Sequence, residues 1–255
     1  MSSVGSLPWI RETRGILRAR DRVRLVAQGV LLQLRSTPPR LRRKLGLKTS
    51  RLARFDPHSL ETPDSAACRE AEQLCAEAPE VIVNHSYRSY VWSAILAAHD
   101  RTQYDREVVY VASLLHDIGF AEPQRTADSR PCCFTVAGVE AALDLGARAG
   151  WGEERQEAVA EAISLHLNLL LGLAHGSEAY LVYAGTRLDA TGYRYWDLHP
   201  EAVAAVLDRY PRLGLKRVWV EMMDKQSCGT PGTRSHLYTR FLRGNRFIMK
   251  APFEE

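Results

Sequence analysis

The 255 residues are 45% hydrophobic and 25% charged, enough to bury the core of one large domain with an appendage, and no apolar run is long enough to span a bilayer. Five cysteines without a CxxC pair argue against a disulfide framework or a thiolate zinc site and point to a reducing, cytoplasmic setting. The net charge of +4 hides an asymmetry, because residues 1–54 hold fourteen Lys or Arg against Glu12 and Asp21 and leave the remainder acidic.

In the basic front end Trp9, Ile10, Ile16, Leu17, Val23, Val30, Leu31 and Leu34 recur at near-helical spacing, until Pro38-Pro39 are expected to break the pattern. An Arg-rich amphipathic lead can be an organelle transit peptide, a membrane-surface helix or a nucleic-acid contact. Docking on the acidic remainder of the chain, or on a second subunit of a homo-oligomer, is favoured over these. Secretion is not expected, because the N-terminus lacks the uninterrupted apolar core of a secretory signal.

From Leu60 onward the chain reads as one helix after another. Thr62 is placed as the cap of a helix that has Pro63 in its first turn and runs to Ala78. The next is expected to begin near His85 and run to His99, with the His85 ring leaning inward and Ser86, Arg88 and Ser89 on the other faces. Asp105 is placed as the cap of the most apolar helix, which ends in LLHDIGF (114 to 120). Residues adjacent on a helix differ in direction by about 100°, so one ion beside the helix end can meet both the His116 imidazole and the Asp117 carboxylate, after which Gly119 frees the backbone to turn. A lone His-Asp pair often arises by chance. This one sits where burying an ionisable pair without a partner is costly.

Residues 121–133 read as a loop beside this site, with Arg125 and Arg130 as candidates for holding an anion. Phe134 to Ala149 forms a small-residue helix in which Gly138 permits close approach to a neighbour. Glu153 to Leu167 is the second helix that matters, since it brings His166 and Asn168 to its end. Ser177 is placed as the cap of the helix that runs to Asp189 and stops at Gly192. Three more helices follow: one opened by Pro200-Glu201 and closed by Pro211, one from Lys216 to Ser227, and one from Ser235 to Arg243. His58, His99, His199 and His236 read as caps or surface residues.

The segments NHSYRSY (84 to 90), LLHDIGF, FTVAGVEAA (134 to 142), AEAISLHLN (160 to 168), YAGTRLDATG (183 to 192) and HPEAVAAVLDRYPRLGLK (199 to 216) together resemble the HD-domain superfamily of metal-dependent hydrolases, and more narrowly its cyanamide hydratase branch. The resemblance implies an all-α HD-domain helical bundle over residues 56–255, preceded by the basic helical N-terminal extension of residues 1–55. It further implies one divalent ion held by His85, His116, Asp117 and Asp189. Zinc suits that nitrogen and oxygen set first, with Fe, Mn or Ni as alternatives. His166, with Asp117, is the candidate for catalysis, and Asn168 stands where relatives often carry an acid.

A divalent ion held this way would present a metal-bound hydroxide. The leading expectation is an enzyme acting on a small-molecule substrate by hydrating a cyanamide or nitrile-like group. The alternatives are a phosphohydrolase of nucleotides or phosphate esters, which needs Arg or Lys facing the metal; a two-iron HD oxygenase, which needs His166 and His175 at a second ion; and a non-catalytic sensor or scaffold. Nucleic acid is not the expected partner.

Overall fold

Helix follows helix in the computed structural model, which describes residues 3–46, 57–121 and 132–255. Among these the one sheet-like pairing is an antiparallel bridge between Ile16 and Thr233, and the fold is all-α as expected. The helices are α1 (Leu7–Thr13), α2 (Ala19–Lys44), α3 (Ala66–Ala76), α4 (Glu80–Asp100), α5 (Arg106–Leu115), α6 (Ile118–Ala121), α7 (Thr135–Arg148), α8 (Glu153–Leu165), α9 (Ser177–Thr191), α10 (Pro200–Arg209), α11 (Leu215–Gly229), α12 (Arg234–His236) and α13 (Asn245–Met249). A π-helical turn, Leu237–Phe241, joins the last two.

Two apolar clusters hold the bundle together. The larger is built on α4, α5, α8 and α9, with Trp92, Ile95, Val109, Leu115, Ile163 and Leu181 fully or almost fully buried. The smaller joins Trp9, Ile10 and Leu25 of the basic front end to Ile82, Phe134 and Trp219. The N-terminal helices therefore bury apolar side chains against the rest of the same chain, aided by Arg11–Glu157 and Arg14–Glu140 ion pairs at 3.4 and 3.6 Å. These half-exposed pairs add little energy by themselves.

The contact between α4 and α9 positions the site. His85 faces Asp189, Ser89 faces Gly185, and the Ser93 hydroxyl donates to the Leu181 carbonyl at 2.8 Å. Each step is four residues forward on α4 and four back on α9, so the helices run antiparallel with one side chain per turn in register. Gly185 makes this approach possible, because a Cβ there would lie 2.3 Å from the Ser89 carbonyl oxygen. Gly138 does the same on α7, where a Cβ would lie 2.6 Å from the Leu115 carbonyl oxygen, and this meets the expectation of a close approach.

Several local expectations are corrected. Pro38-Pro39 do not break the N-terminal helix; α2 continues through them to Lys44, since proline removes a donor and crowds the preceding turn without excluding helical φ. The α3 cap is Ser65, whose hydroxyl accepts from the Cys68 amide at 3.2 Å, and not Thr62. α4 begins at Glu80, which moves His85 from the helix start into its second turn. Ser177 is the first residue of α9 and its side chain makes no capping bond. Gly119 lies within α6 and serves close packing, its absent Cβ leaving room for the Phe134 carbonyl. Asp105 does cap α5, accepting from the amides of Glu107 and Val108 at 2.9 and 3.2 Å. Arg125 and Arg130 fall outside the described residues.

Candidate metal centre

α5 ends at Leu115, and the next two residues turn inward before α6. Both are fully buried, as are His85 and Asp189. The donor atoms of His85, His116 and Asp117 all lie within 4.8 Å of one another. The Nε2 atoms of His85 and His116 are 3.2 Å apart, and Asp117 Oδ2 lies 3.4 and 3.1 Å from them. His166, at the end of α8, brings its Nε2 to 3.7 Å from Asp117 Oδ1.

The hydrogen bonds behind these rings decide what the cluster can hold. His116 Nδ1 lies 2.7 Å from the Ser113 carbonyl, His166 Nδ1 2.6 Å from the Ile163 carbonyl, and His85 Nδ1 2.7 Å from Asp189 Oδ2. An acceptor at each Nδ1 assigns the ring proton there and turns an Nε2 lone pair toward Asp117. Neither oxygen of Asp117 has a hydrogen-bond partner among the described residues, although both are buried. A buried carboxylate set 3.1 and 3.4 Å from two imidazole nitrogens is an arrangement that a bound cation, or a proton carried by His85, relieves. The donor set fits a divalent ion of the zinc type.

Asp189 is placed differently from the other three. Arg88, itself fully buried, donates from Nε to Oδ1 at 2.8 Å and from Nη2 to Oδ2 at 2.9 Å. Trp92 Nε1 donates to Oδ1 at 2.8 Å, and the Arg212 guanidinium is 3.5 Å away. The carboxylate thus stands behind His85, where it fixes the ring, and its oxygens are already taken. Burial opposes its ionisation, but Arg88 and then Arg212 outweigh that and hold the carboxyl well below the usual range. Arg194, five residues on, pairs with Asp100 and Asp197 and not with Asp189.

The HD domain family model matches residues 82–210, which contain His85, Arg88, His116, Asp117, His166 and Asp189. The chain belongs to the HD domain family. It is 25% identical over 172 residues to the cyanamide hydratases DDI2 and DDI3 of Saccharomyces cerevisiae, a span that covers 66% of this chain and 76% of each of theirs. The HD domain and these relatives support metal-dependent, hydrolase-type activity.

Within this HD domain the tyrosine-proline corner after α10 is tied to the start of α4. Arg88 Nη1 donates to the carbonyls of both Tyr210 and Pro211 at 2.9 Å, and Asn84 donates to the Pro211 carbonyl at 3.1 Å. Arg88, which the sequence assigns to a face away from His85, is fully buried and joins two distant segments, Asp189 of α9 and the corner after α10. No local signal marks it, because its partners lie more than a hundred residues on. His166 is pushed down to about 3, first by burial and then by its neighbour His116, so its ring is neutral at pH 7. Burial opposes a charge on His85 as well, but Asp117 and Asp189 outweigh it and raise its pKa. His175 is exposed in a short 3-10 turn, and no helix among the described residues is long and apolar enough to cross a membrane.

A cavity of about 300 Å³ opens onto His116 and His166. Its walls come from α2, α9, α11 and the segment after α12. Trp219 lies at its inner end, edge-on to His85 with ring centroids 4.5 Å apart. Phe120 and Phe134 stack at 4.0 Å beside it, with Phe120 5.9 Å from the Trp219 ring.

Proposed function

We propose that this HD domain is a hydratase or hydrolase for an uncharged small molecule, adding water across a nitrile or cyanamide-like group at a divalent ion held by His85, His116 and Asp117. The observation that carries this reading is the buried cluster of His85, His116 and Asp117 donor atoms within 4.8 Å of one another beside an open cavity that reaches His116. A zinc ion bound there, or Fe, Mn or Ni in its place, supplies Lewis acidity and a water of lowered pKa.

The side chains then have separable tasks. Asp189 orients His85 and strengthens it as a ligand, the role of a carboxylate behind a metal-binding imidazole. His166, neutral and with its Nδ1–H committed to Ile163, offers Nε2 at the cavity floor as proton carrier. As the water oxygen bonds to the nitrile carbon, a water proton passes to His166 Nε2 and one C≡N electron pair moves onto nitrogen. His166 returns the proton to that nitrogen, and tautomerisation gives the amide, or a urea from cyanamide.

The cavity favours this over phosphate-ester hydrolysis, because Arg187 is its only Arg or Lys among the described lining residues. A two-iron site is disfavoured by His175, which is exposed and away from the cluster. Elemental analysis of the purified protein, followed by turnover of cyanamide, small nitriles, nucleoside monophosphates and a generic phosphate ester, tests the proposal. One zinc-type ion per chain with hydration of cyanamide or a nitrile is expected. Phosphate release without hydration would overturn it.

A further inference from the structure

Cyanamide has three heavy atoms, and a molecule of that size occupies a small part of a 300 Å³ cavity; one water takes up about 30 Å³ in the liquid. Cavities of this volume accommodate ligands many atoms larger, with apolar walls that grip the body and a few polar groups that fix the reacting end. Here His116 and His166 are the reactive groups, and most of the remaining wall is apolar, from Val26 and Val30 of α2, Met223 of α11, and Leu242 and Ile248 near the C-terminus, with Gln33, Thr186, Thr239 and Asn245 interspersed.

Three further features support a ligand with an apolar body. Val26, Val30 and Phe247 line the cavity yet remain 41%, 58% and 39% exposed, an apolar rim that a ligand would cover. The π-helical turn at Leu237–Phe241 contributes Tyr238 and Thr239 to the wall, and such turns recur at functional sites. The single permanent charge among the described lining residues, Arg187, is already engaged with the Asn168 carbonyl at 3.3 Å and lies over the Tyr183 ring.

We infer that the physiological substrate is an uncharged molecule with an electrophilic carbon, nitrile or carbonyl, at one end and an alkyl or aryl body of several carbons at the other, seated between α2 and the C-terminal segment. This rests on the reading of the metal centre as the reacting site. It also gives the basic N-terminal helix a task, since α2 lies outside the HD match at 82–210 and supplies one wall of the cavity.

The test is calorimetric titration of the metal-loaded, full-length protein with unbranched nitriles from acetonitrile to decanenitrile, and with the corresponding carboxamides. Affinity is expected to rise about fourfold per added methylene until the cavity is filled. Val30→Trp, which fills the mouth at an exposed position, should weaken the longest ligands at least tenfold, and Val26→Glu should do so by placing a charge there. Retained metal content and helical circular dichroism confirm that both variants fold. Affinity that is flat along the series in protein retaining its metal overturns the inference. Cyanamide turnover is measured alongside: hydration with flat affinity removes the apolar substrate alone, whereas chain-length dependence without hydration removes the proposed reaction and leaves the apolar ligand standing.

Discussion

Arg88 and Asp189, 101 residues apart in the chain, form a two-point ion pair with N–O distances of 2.8 and 2.9 Å at zero exposure. The same carboxylate holds His85 in place, and the same guanidinium holds the Tyr210 and Pro211 carbonyls. One pairing thus ties the metal cluster to the α9 helix and to the corner after α10.

Removing one partner strands the other as a buried charge, which costs about 3–5 kcal/mol in comparable sites. Arg88→Ala should therefore lose about that much stability, read from urea unfolding. Arg88→Ala combined with Asp189→Asn should recover part of it. A single variant as stable as the parent would show that the pair is not holding the fold.

Asp117→Asn tests the metal centre instead. It keeps the size of the side chain and removes the charge beside the two imidazoles, so its main effect should be on the response to zinc. The parent should gain stability on adding zinc, about 2.7 kcal/mol at a free concentration one hundred times the dissociation constant, and the variant should gain little. Thermal unfolding with zinc and with a chelator measures both.

Gly185→Ala tests the packing of α4 on α9. The added methyl would meet the Ser89 carbonyl oxygen and the Ser93 hydroxyl, each 2.3 Å from the ideal Cβ position. Overpacking of this kind costs about 1–3 kcal/mol, and the forced separation should also weaken zinc binding by drawing Asp189 away from His85. A stability loss with unchanged zinc affinity would show that the two helices can part without disturbing the cluster.

Acid should release a contact far from the cluster. Burial raises the Asp100 carboxyl, but hydrogen bonds from Arg194 and His99 outweigh this and lower it overall. A carboxyl lowered in the folded state stabilises above its unfolded pKa, about 3.9, and the contribution is lost as pH falls through the folded value. Asp100→Asn should therefore unfold at lower urea than the parent at pH 7, with the gap closing below about pH 4. A gap independent of pH would assign the loss to packing alone.

The parts of this architecture legible in the sequence are those with local causes. The α5 helix shows itself through its Asp105 cap and apolar run, and the His116-Asp117 pair at its end draws notice by being ionisable where burial is expected. The convergence of Arg88, Trp92 and Arg212 on Asp189 stays hidden because the partners are remote from one another in sequence, apart from Arg88 and Trp92. Polarity misleads on α4, where Ser86, Arg88 and Ser89 read as lying on faces away from His85 yet are fully or nearly fully buried, Arg88 bonded to Asp189 of α9 and the Ser89 hydroxyl donating back to the His85 carbonyl. The run through Pro38-Pro39 is illegible for a different reason: proline lowers the odds of helix without forbidding it. The cavity walls could not be anticipated, as they assemble from both ends of the chain.

Residues 82–210 bring together the reactive cluster, whereas Val26, Val30, Met223 and Ile248 come from outside that stretch. Much of the mould is thus encoded outside the stretch that carries the machinery, with α9 supplying a further part of the wall. Exchanging the terminal segments between related proteins would be expected to alter which molecules enter while the reacting centre keeps its chemistry.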